Sequence, residues 1–421
     1  MAANAPRQGL AFVYITTLFF IWGAVTSVND VLIPAVKEIF TLTDTQGFLT
    51  QFAFFMAYGV VSLPAALVVS RLGAARSIIL ALAIMVVGCL LMPVATHWRT
   101  YTIVLVALFI IASGITLLQV SANPLSAVLG PPEKSHFRLV LSQGFNSLGT
   151  VIGPYVAAHT LLQGGLFSGG EASEAKIVES LGRLDLAYYF IAGVIVLLAI
   201  FLFSVRGRIT AAAPAVDKDA ASIGAAFRSK WALLGAGAIF LYVGAEVSIG
   251  STMVNFLEQP NILALSAVEA GKLVSLYWLG AMIGRFLGSG LLTRIPASRL
   301  LLFVAAVAAI LCLIVSQIDG RAAAVLAIAI GLFNAIMFPV IFTLTLERSR
   351  APAAAVAGLL CMAIVGGALV PLVFAYVADI TTSRSTAFQV PMLCYLLIAG
   401  FALAAARAPV VARAAAPAAG H

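Results

Sequence analysis

Three charged side chains stand well inside otherwise apolar stretches of this 421-residue sequence: Asp30, Glu246 and Arg285. An ionisable group at membrane depth is costly, so it usually faces a protein interior or a water-filled path and serves a function. Asp30 follows Asn29 in FFIWGAVTSVNDVLIP, Phe19 to Pro34. Its carboxylate can take up and release a proton, or can join Asn29 and nearby carbonyls as hard oxygen ligands for Na⁺. Glu246 can accept hydrogen bonds from the hydroxyls of a neutral polyol, serve as a second cation-coupling site, or pair with Arg285 in the next span. Arg285 can snorkel towards its helix end, pair with Glu246, or hold a gate closed.

Amides form a second group. Gln119 and Asn123 are spaced i and i+4, on one helical face just before Pro124, and Gln143 and Asn146 are spaced i and i+3 on another. An amide offers a donor and an acceptor together, which suits a polyol whose hydroxyls have both characters. Interhelical hydrogen bonding is the competing use. Asn255, Trp278, Asn334 and Phe338 are second-half candidates, because an aromatic plane can stack on an apolar C–H face while amides take the edges.

The elements that position these groups follow from composition. The sequence is 62% hydrophobic and 10% charged, with a mean hydropathy of +1.10, which excludes a soluble globular protein. Long unbroken apolar runs exclude a β-barrel. The runs predict twelve membrane-spanning helices at 11–35, 47–70, 76–95, 101–129, 137–163, 185–205, 231–256, 268–293, 300–317, 322–346, 354–378 and 387–406. The expected architecture is therefore all-α: a six-helix bundle at 1–205, a cytoplasmic linker at 206–230 and a second bundle at 231–421. With the N-terminus inside, sixteen of the 24 Lys and Arg face the cytoplasm, seven lie outside and Arg285 is within a span. That bias places both termini in the cytoplasm of a plasma (bacterial inner) membrane.

The net charge of +8 sits singly at span ends, so nucleic acid is not an expected partner. Cys89, Cys312, Cys361 and Cys394 read as buried thiols, and the four histidines are scattered, so neither a cofactor nor a resident metal is expected. No nucleophile, base and orienter assemble as an enzyme requires. Gly59, Gly149, Gly153, Gly280, Gly284, Gly366 and Gly367 read as close-packing positions between helices.

Three motifs recur in order. SRLGAAR (Ser70 to Arg76) matches TRIPASR (Thr293 to Arg299), aligning Arg71 and Arg76 with Arg294 and Arg299 as structural or gating charges. GAVTS (Gly23 to Ser27) matches GAEVS (Gly244 to Ser248), and GTVIGP (Gly149 to Pro154) matches GGALVP (Gly366 to Pro371). The offsets of 223, 221 and 217 indicate an internal duplication.

The twelve spans, the duplication and the basic second-to-third junction resemble the major facilitator superfamily. NDVLIP, ANPLSAVLGP, FRLVLSQGFNSLGT, YVGAEVSIGS, IGRFLGS, FNAIMFPVIFTL and CMAIVGGALVP resemble its fucose:proton symporter family, and within that the glucose/galactose branch. The resemblance implies import of a monosaccharide (glucose, galactose or fucose) by Na⁺- or H⁺-coupled symport through a central, alternately exposed cavity. H⁺ is favoured over Na⁺ as the coupling ion, and a monomer in lipid is expected. Gln119 stands where fucose-type members carry a glutamate beside the first-helix aspartate, and glutamine cannot titrate. The same fold also serves antiporters and facilitators of other polar solutes, and a non-transporting membrane sensor is the remote alternative.

Overall fold

A computed structural model describes residues 5–40, 42, 44–160, 174–213 and 223–411, with side chains described throughout these except at 5–7, 29–39, 44–48, 51 and 157–160. Among the described residues all regular structure is helical. The helices are α1 (Ala5–Ile39), α2 (Asp44–Leu72), α3 (Ala74–His97), α4 (Tyr101–Val128), α5 (Ser135–Thr160), α6 (Glu174–Ala212), α7 (Ile223–Arg228), α8 (Lys230–Leu257), α9 (Ala267–Leu291), α10 (Ala297–Val315), α11 (Gly320–Asn334), α12 (Met337–Arg348), α13 (Ala353–Met362), α14 (Gly366–Thr381), α15 (Arg384–Ala387) and α16 (Gln389–Arg407).

Among the described residues, ten helical stretches are long and apolar enough to cross a membrane. The other two expected spans, 137–163 and 268–293, coincide with α5 and α9. Their amide, hydroxyl and charged side chains keep them out of that apolar set, which is what a helix carrying polar function should look like. Two spans expected to be continuous are broken: 322–346 divides into α11 and α12, and 354–378 into α13, a 3-10 turn at Ala363–Val365, and α14. By contrast, α4 continues through Pro124 to Val128.

The chain divides into two compact units, residues 1–130 with 145–221, and residues 131–144 with 222–421. The change near residue 221 lies inside the 206–230 stretch read as linker, although α6 runs on to Ala212 and α7 fills Ile223–Arg228. The second unit also takes the first turns of α5, which the six-plus-six reading assigns to the first half.

In the first unit α4 packs against α2 and α3, and α6 packs against α1 and α3. The 39 residues of α6 make it about 58 Å long at 1.5 Å per residue, well beyond the ~30 Å of hydrocarbon. Its extra N-terminal turns carry charge: Glu174 accepts from Arg99 at 2.7 Å, and Glu179 and Arg183 pair at i, i+4. Apolar side chains such as Val87 and Leu197 point outward, 58% and 68% exposed, as lipid permits and water would not.

In the second unit α8 is the hub, touching α9, α12, α13, α14 and α16. The first turn of α5 is fastened to the last turn of α12. Ser135 donates to Glu347 at 2.9 Å, His136 Nε2 lies 3.1 Å from Glu347 Oε1, and His136 Nδ1 lies 2.6 Å from Thr343 Oγ1. Arg348 donates through Nε to the Ala405 carbonyl at 3.0 Å, closing α12 onto α16. All four cysteines are buried free thiols.

The sequence repeats reappear as packing. A Cβ at Gly149 on α5 would overlap the Phe20 carbonyl of α1, and a Cβ at Gly366 on α14 would overlap the Phe240 carbonyl of α8. Each unit thus brings its first long helix against its GxxxxP-bearing helix backbone to backbone, the contact small residues permit inside a membrane. The junction arginines Arg71, Arg76, Arg294 and Arg299 are all exposed. Their two turns are built differently: Gly73 sits at φ 77 in one, and Pro296 caps α10 at φ −54 in the other.

Candidate functional site

The most developed polar cluster within one unit lies where α8, α9, α11, α12 and α16 meet. Helix α9 reaches α11 closely because Gly280 and Gly284 remove side chains from the contact: a Cβ at Gly284 would overlap the Leu332 carbonyl and lie 2.7 Å from the Ala335 Cβ. On the same helix Tyr277 is fully buried, and its hydroxyl accepts from Asn334 Nδ2 at 2.7 Å while donating to the Glu246 carbonyl at 3.4 Å. The second N–H direction of Asn334 points to the Tyr395 hydroxyl on α16, at 3.4 Å. Asn334 is the last residue of α11, so two tyrosines hold the helix end at the break.

Arg285 holds the next residue. Helical geometry would have the Ala335 carbonyl accept from the amide four residues on, but that residue is Pro339, which has no N–H. Arg285 Nε donates to the Ala335 carbonyl instead, at 3.1 Å. The ladder resumes one residue later, with Val340 N donating to the Ile336 carbonyl at 3.1 Å. The guanidinium also reaches α8: Nη2 lies 3.8 Å from Glu246 Oε1, close enough for an ion pair and too long for a hydrogen bond. Both side chains are about one-seventh exposed, at 16% and 14%.

Around this pair Tyr242 lies one turn before Glu246 on α8 and is buried. Asn334 Oδ1 is enclosed and accepts no hydrogen bond among the described residues, while the enclosed Tyr242 hydroxyl and Glu246 carboxylate interact with each other without reaching good hydrogen-bond geometry. Buried polar atoms are normally satisfied, so poorly satisfied ones gathered in one cluster make it a candidate site. The aromatic wall is Tyr277 against Trp278, with ring centroids 5.1 Å apart, then Tyr242 against Phe338 at 6.4 Å, and Phe338 against Phe342 at 5.9 Å.

The structure therefore pairs Glu246 with Arg285 directly, links Asn334 to the Glu246 backbone through the Tyr277 hydroxyl, and packs Phe338 on Tyr242. Trp278 packs over Gly250 of α8 and is 43% exposed. Asn255 is exposed near the end of α8, where its carbonyl accepts from Arg384 at 3.0 Å. Tyr242, Tyr277 and Tyr395 belong to the cluster, and sequence reasoning passed over them. A hydroxyl-bearing ring inside an apolar span was the available signal, and YVGAE already set Tyr242 one turn before Glu246.

In the first unit Gln119 donates to the Tyr58 hydroxyl at 2.7 Å, with Phe54 packed on that ring. Asn146 donates to the Phe19 carbonyl of α1 at 3.0 Å, so its Nδ2 serves helix packing. Asn123 is buried there, as is Gln143 on the stretch of α5 that belongs to the second unit. Asn29 and Asp30 lie on α1, but their side chains fall outside the described residues, and with them the suggested Na⁺ position. Among the described residues no group of His, Cys, Asp or Glu could hold a metal ion.

Comparison with known proteins agrees with this architecture. The family model described as "Major Facilitator Superfamily" matches residues 13–371. The chain is 40% identical over 406 residues to a glucose/galactose transporter of Brucella abortus biovar 1 (strain 9-941), covering 95% of each sequence. It is 29% identical to the L-fucose-proton symporter of Escherichia coli (strain K12), covering 95% of this chain and 94% of the relative. A crystal structure of the E. coli fucose:proton symporter FucP superposes with a TM-score of 0.83 at 28% identity, over 94% of this chain and 98% of that one. A twofold helical chain with broken, polar-lined spans and these relatives belongs to the major facilitator superfamily.

Proposed function

We propose that this chain is an integral membrane transporter, and not an enzyme, that carries a monosaccharide together with a proton by alternating access. The observation that carries the reading is Glu246, a largely buried carboxylate amid enclosed tyrosine and amide groups, in a chain 40% identical along 95% of its length to a protein named as a glucose/galactose transporter. The name of the more distant fucose relative supports H⁺ as the coupling ion.

The roles divide by chemistry. Asp30 and Glu246 are the carboxylates that can be neutralised by a cation. A charged site resists crossing low dielectric and a neutralised one does not, so cation binding licenses the empty-to-loaded transition. Gln119, Asn123, Gln143, Asn334 and the tyrosine hydroxyls supply the mixed donors and acceptors that a sugar requires, with Trp278 and Phe338 as stacking faces. The positive-inside bias supports an inner-membrane location with both termini in the cytoplasm, and a monomer suffices for this mechanism.

The test is uptake of radiolabelled glucose, galactose and fucose into proteoliposomes under an imposed inward proton gradient without sodium. Accumulation of a hexose above its external concentration is expected, and it should vanish with a protonophore. Accumulation only after sodium addition would replace the coupling ion, and no hexose movement under either gradient would overturn the reading.

A further inference from the structure

We propose that Arg285 is a positioning residue that couples the charge on Glu246 to the break between α11 and α12. The proposal rests on the transporter reading for its purpose but on geometry for its content. The planar guanidinium touches groups on two other helices, the Ala335 carbonyl at 3.1 Å and Glu246 Oε1 at 3.8 Å. Its N–H directions are fixed relative to one another, so a shift of the guanidinium towards Glu246 changes its geometry at the Ala335 carbonyl. The Ala335 carbonyl depends on it because Pro339 cannot supply the helical donor, and a carbonyl left unpaired inside a membrane protein is costly.

The flanking residues leave little slack. Asn334 is tied to Tyr277 and Tyr395, Gly284 presses α9 against Leu332, and a Cβ at Gly288 would overlap Ile336. Motion at this point is therefore an exchange of partners by Arg285 and not a general loosening. With Glu246 ionised, Coulomb attraction draws the guanidinium towards α8 and weakens the cap on Ala335. When Glu246 takes a proton from solution, that attraction ends and the guanidinium settles on the carbonyl. The titratable or charged groups packed around this pair are Tyr242 on α8, Tyr277 on α9, Tyr395 and Cys394 on α16, and Cys312 on α10.

The experiment has a readout that needs no transport. Hydrogen exchange of the peptide covering 330–345 is measured on the purified full-length protein across pH, after correction for intrinsic exchange. Protection in the wild type should rise as pH falls. In Glu246→Gln it should stay near the low-pH level at every pH, and in Pro339→Ala, which restores an amide donor for Ala335, the dependence should also flatten. The same pH dependence in wild type, Glu246→Gln and Pro339→Ala would overturn the proposal. A second arm reads hexose counterflow: Arg285→Gln should slow it by about tenfold or more, as expected when the buried Ala335 carbonyl loses its donor. Adding Pro339→Ala should recover most of that loss. A purely charge-neutralising arginine would instead be rescued by Glu246→Gln and not by Pro339→Ala, which also overturns the proposal. If the exchange arm holds and no hexose moves even in the wild type, the transport reading fails while the coupling stands.

Discussion

His136 Nε2 and Glu347 Oε1 lie 3.1 Å apart, joining the first turn of α5 to the last turn of α12. Ser135 and Thr343 extend the contact on either side, so four side chains from two helices meet at a single point. A hydrogen bond to a charged group contributes about 1.5 to 3 kcal/mol. His136→Ala and Glu347→Gln should each lower the melting temperature of the purified protein by about 2 to 4 °C. Unchanged melting in both variants would show that the contact contributes nothing.

The paired glycines make a symmetrical prediction. Gly149→Ala and Gly366→Ala each drive a methyl into a facing carbonyl, that of Phe20 or Phe240. Overpacking of this kind costs about 1 to 3 kcal/mol, so both variants should melt earlier and express poorly. Gly193→Ala and Gly400→Ala meet nothing within 4 Å and serve as controls that should match or exceed the wild type. A loss confined to one of the two paired positions would argue against equivalent packing in the two units.

Tyr277→Phe removes the hydroxyl that receives Asn334 Nδ2 and leaves a buried donor unpaired. The cost is about 1 to 3 kcal/mol. Asn334→Ala should cost no more when combined with Tyr277→Phe than the larger single change alone. Thermal stability of both single variants and the double variant measures the coupling, and simple additivity would mean that the hydrogen bond does not act as described.

Asp30→Asn and Glu246→Gln test coupling separately. Each mimics a neutralised carboxylate, so the variant responsible for coupling should lose accumulation against a gradient while retaining sugar exchange between two loaded sides. Comparing the two in the same proteoliposome assay assigns the role. If both variants still concentrate sugar, neither carboxylate couples.

The helices and the duplication were legible in the sequence because each is written locally: apolar runs mark the spans, and short glycine motifs mark where backbones approach. Glu246 and Arg285 were legible for the same reason, since charge inside an apolar run needs no partner to be noticed. The break at Asn334 was half written. Pro339 announces a missing donor, yet the helix passes through Pro124 without breaking, so proline alone does not decide. At the break the orphan carbonyl of Ala335 takes its donor from another helix, from Arg285 fifty positions away. Tyr277 and Tyr395 were illegible on the same ground, because their value lies in meeting Asn334. Asn146 read first as a sugar ligand, with interhelical bonding as the competing use, and its bond to the Phe19 carbonyl shows that its Nδ2 serves packing.

The burial of Cys89, Cys312, Cys361 and Cys394 has a practical consequence. Polar maleimides and spin labels react with thiolates they can reach, and none of these four thiols offers that. The unaltered chain is therefore a silent background for probe chemistry: a cysteine introduced at an exposed position such as Trp98 or Val410 becomes the reporting site without prior removal of the natural ones.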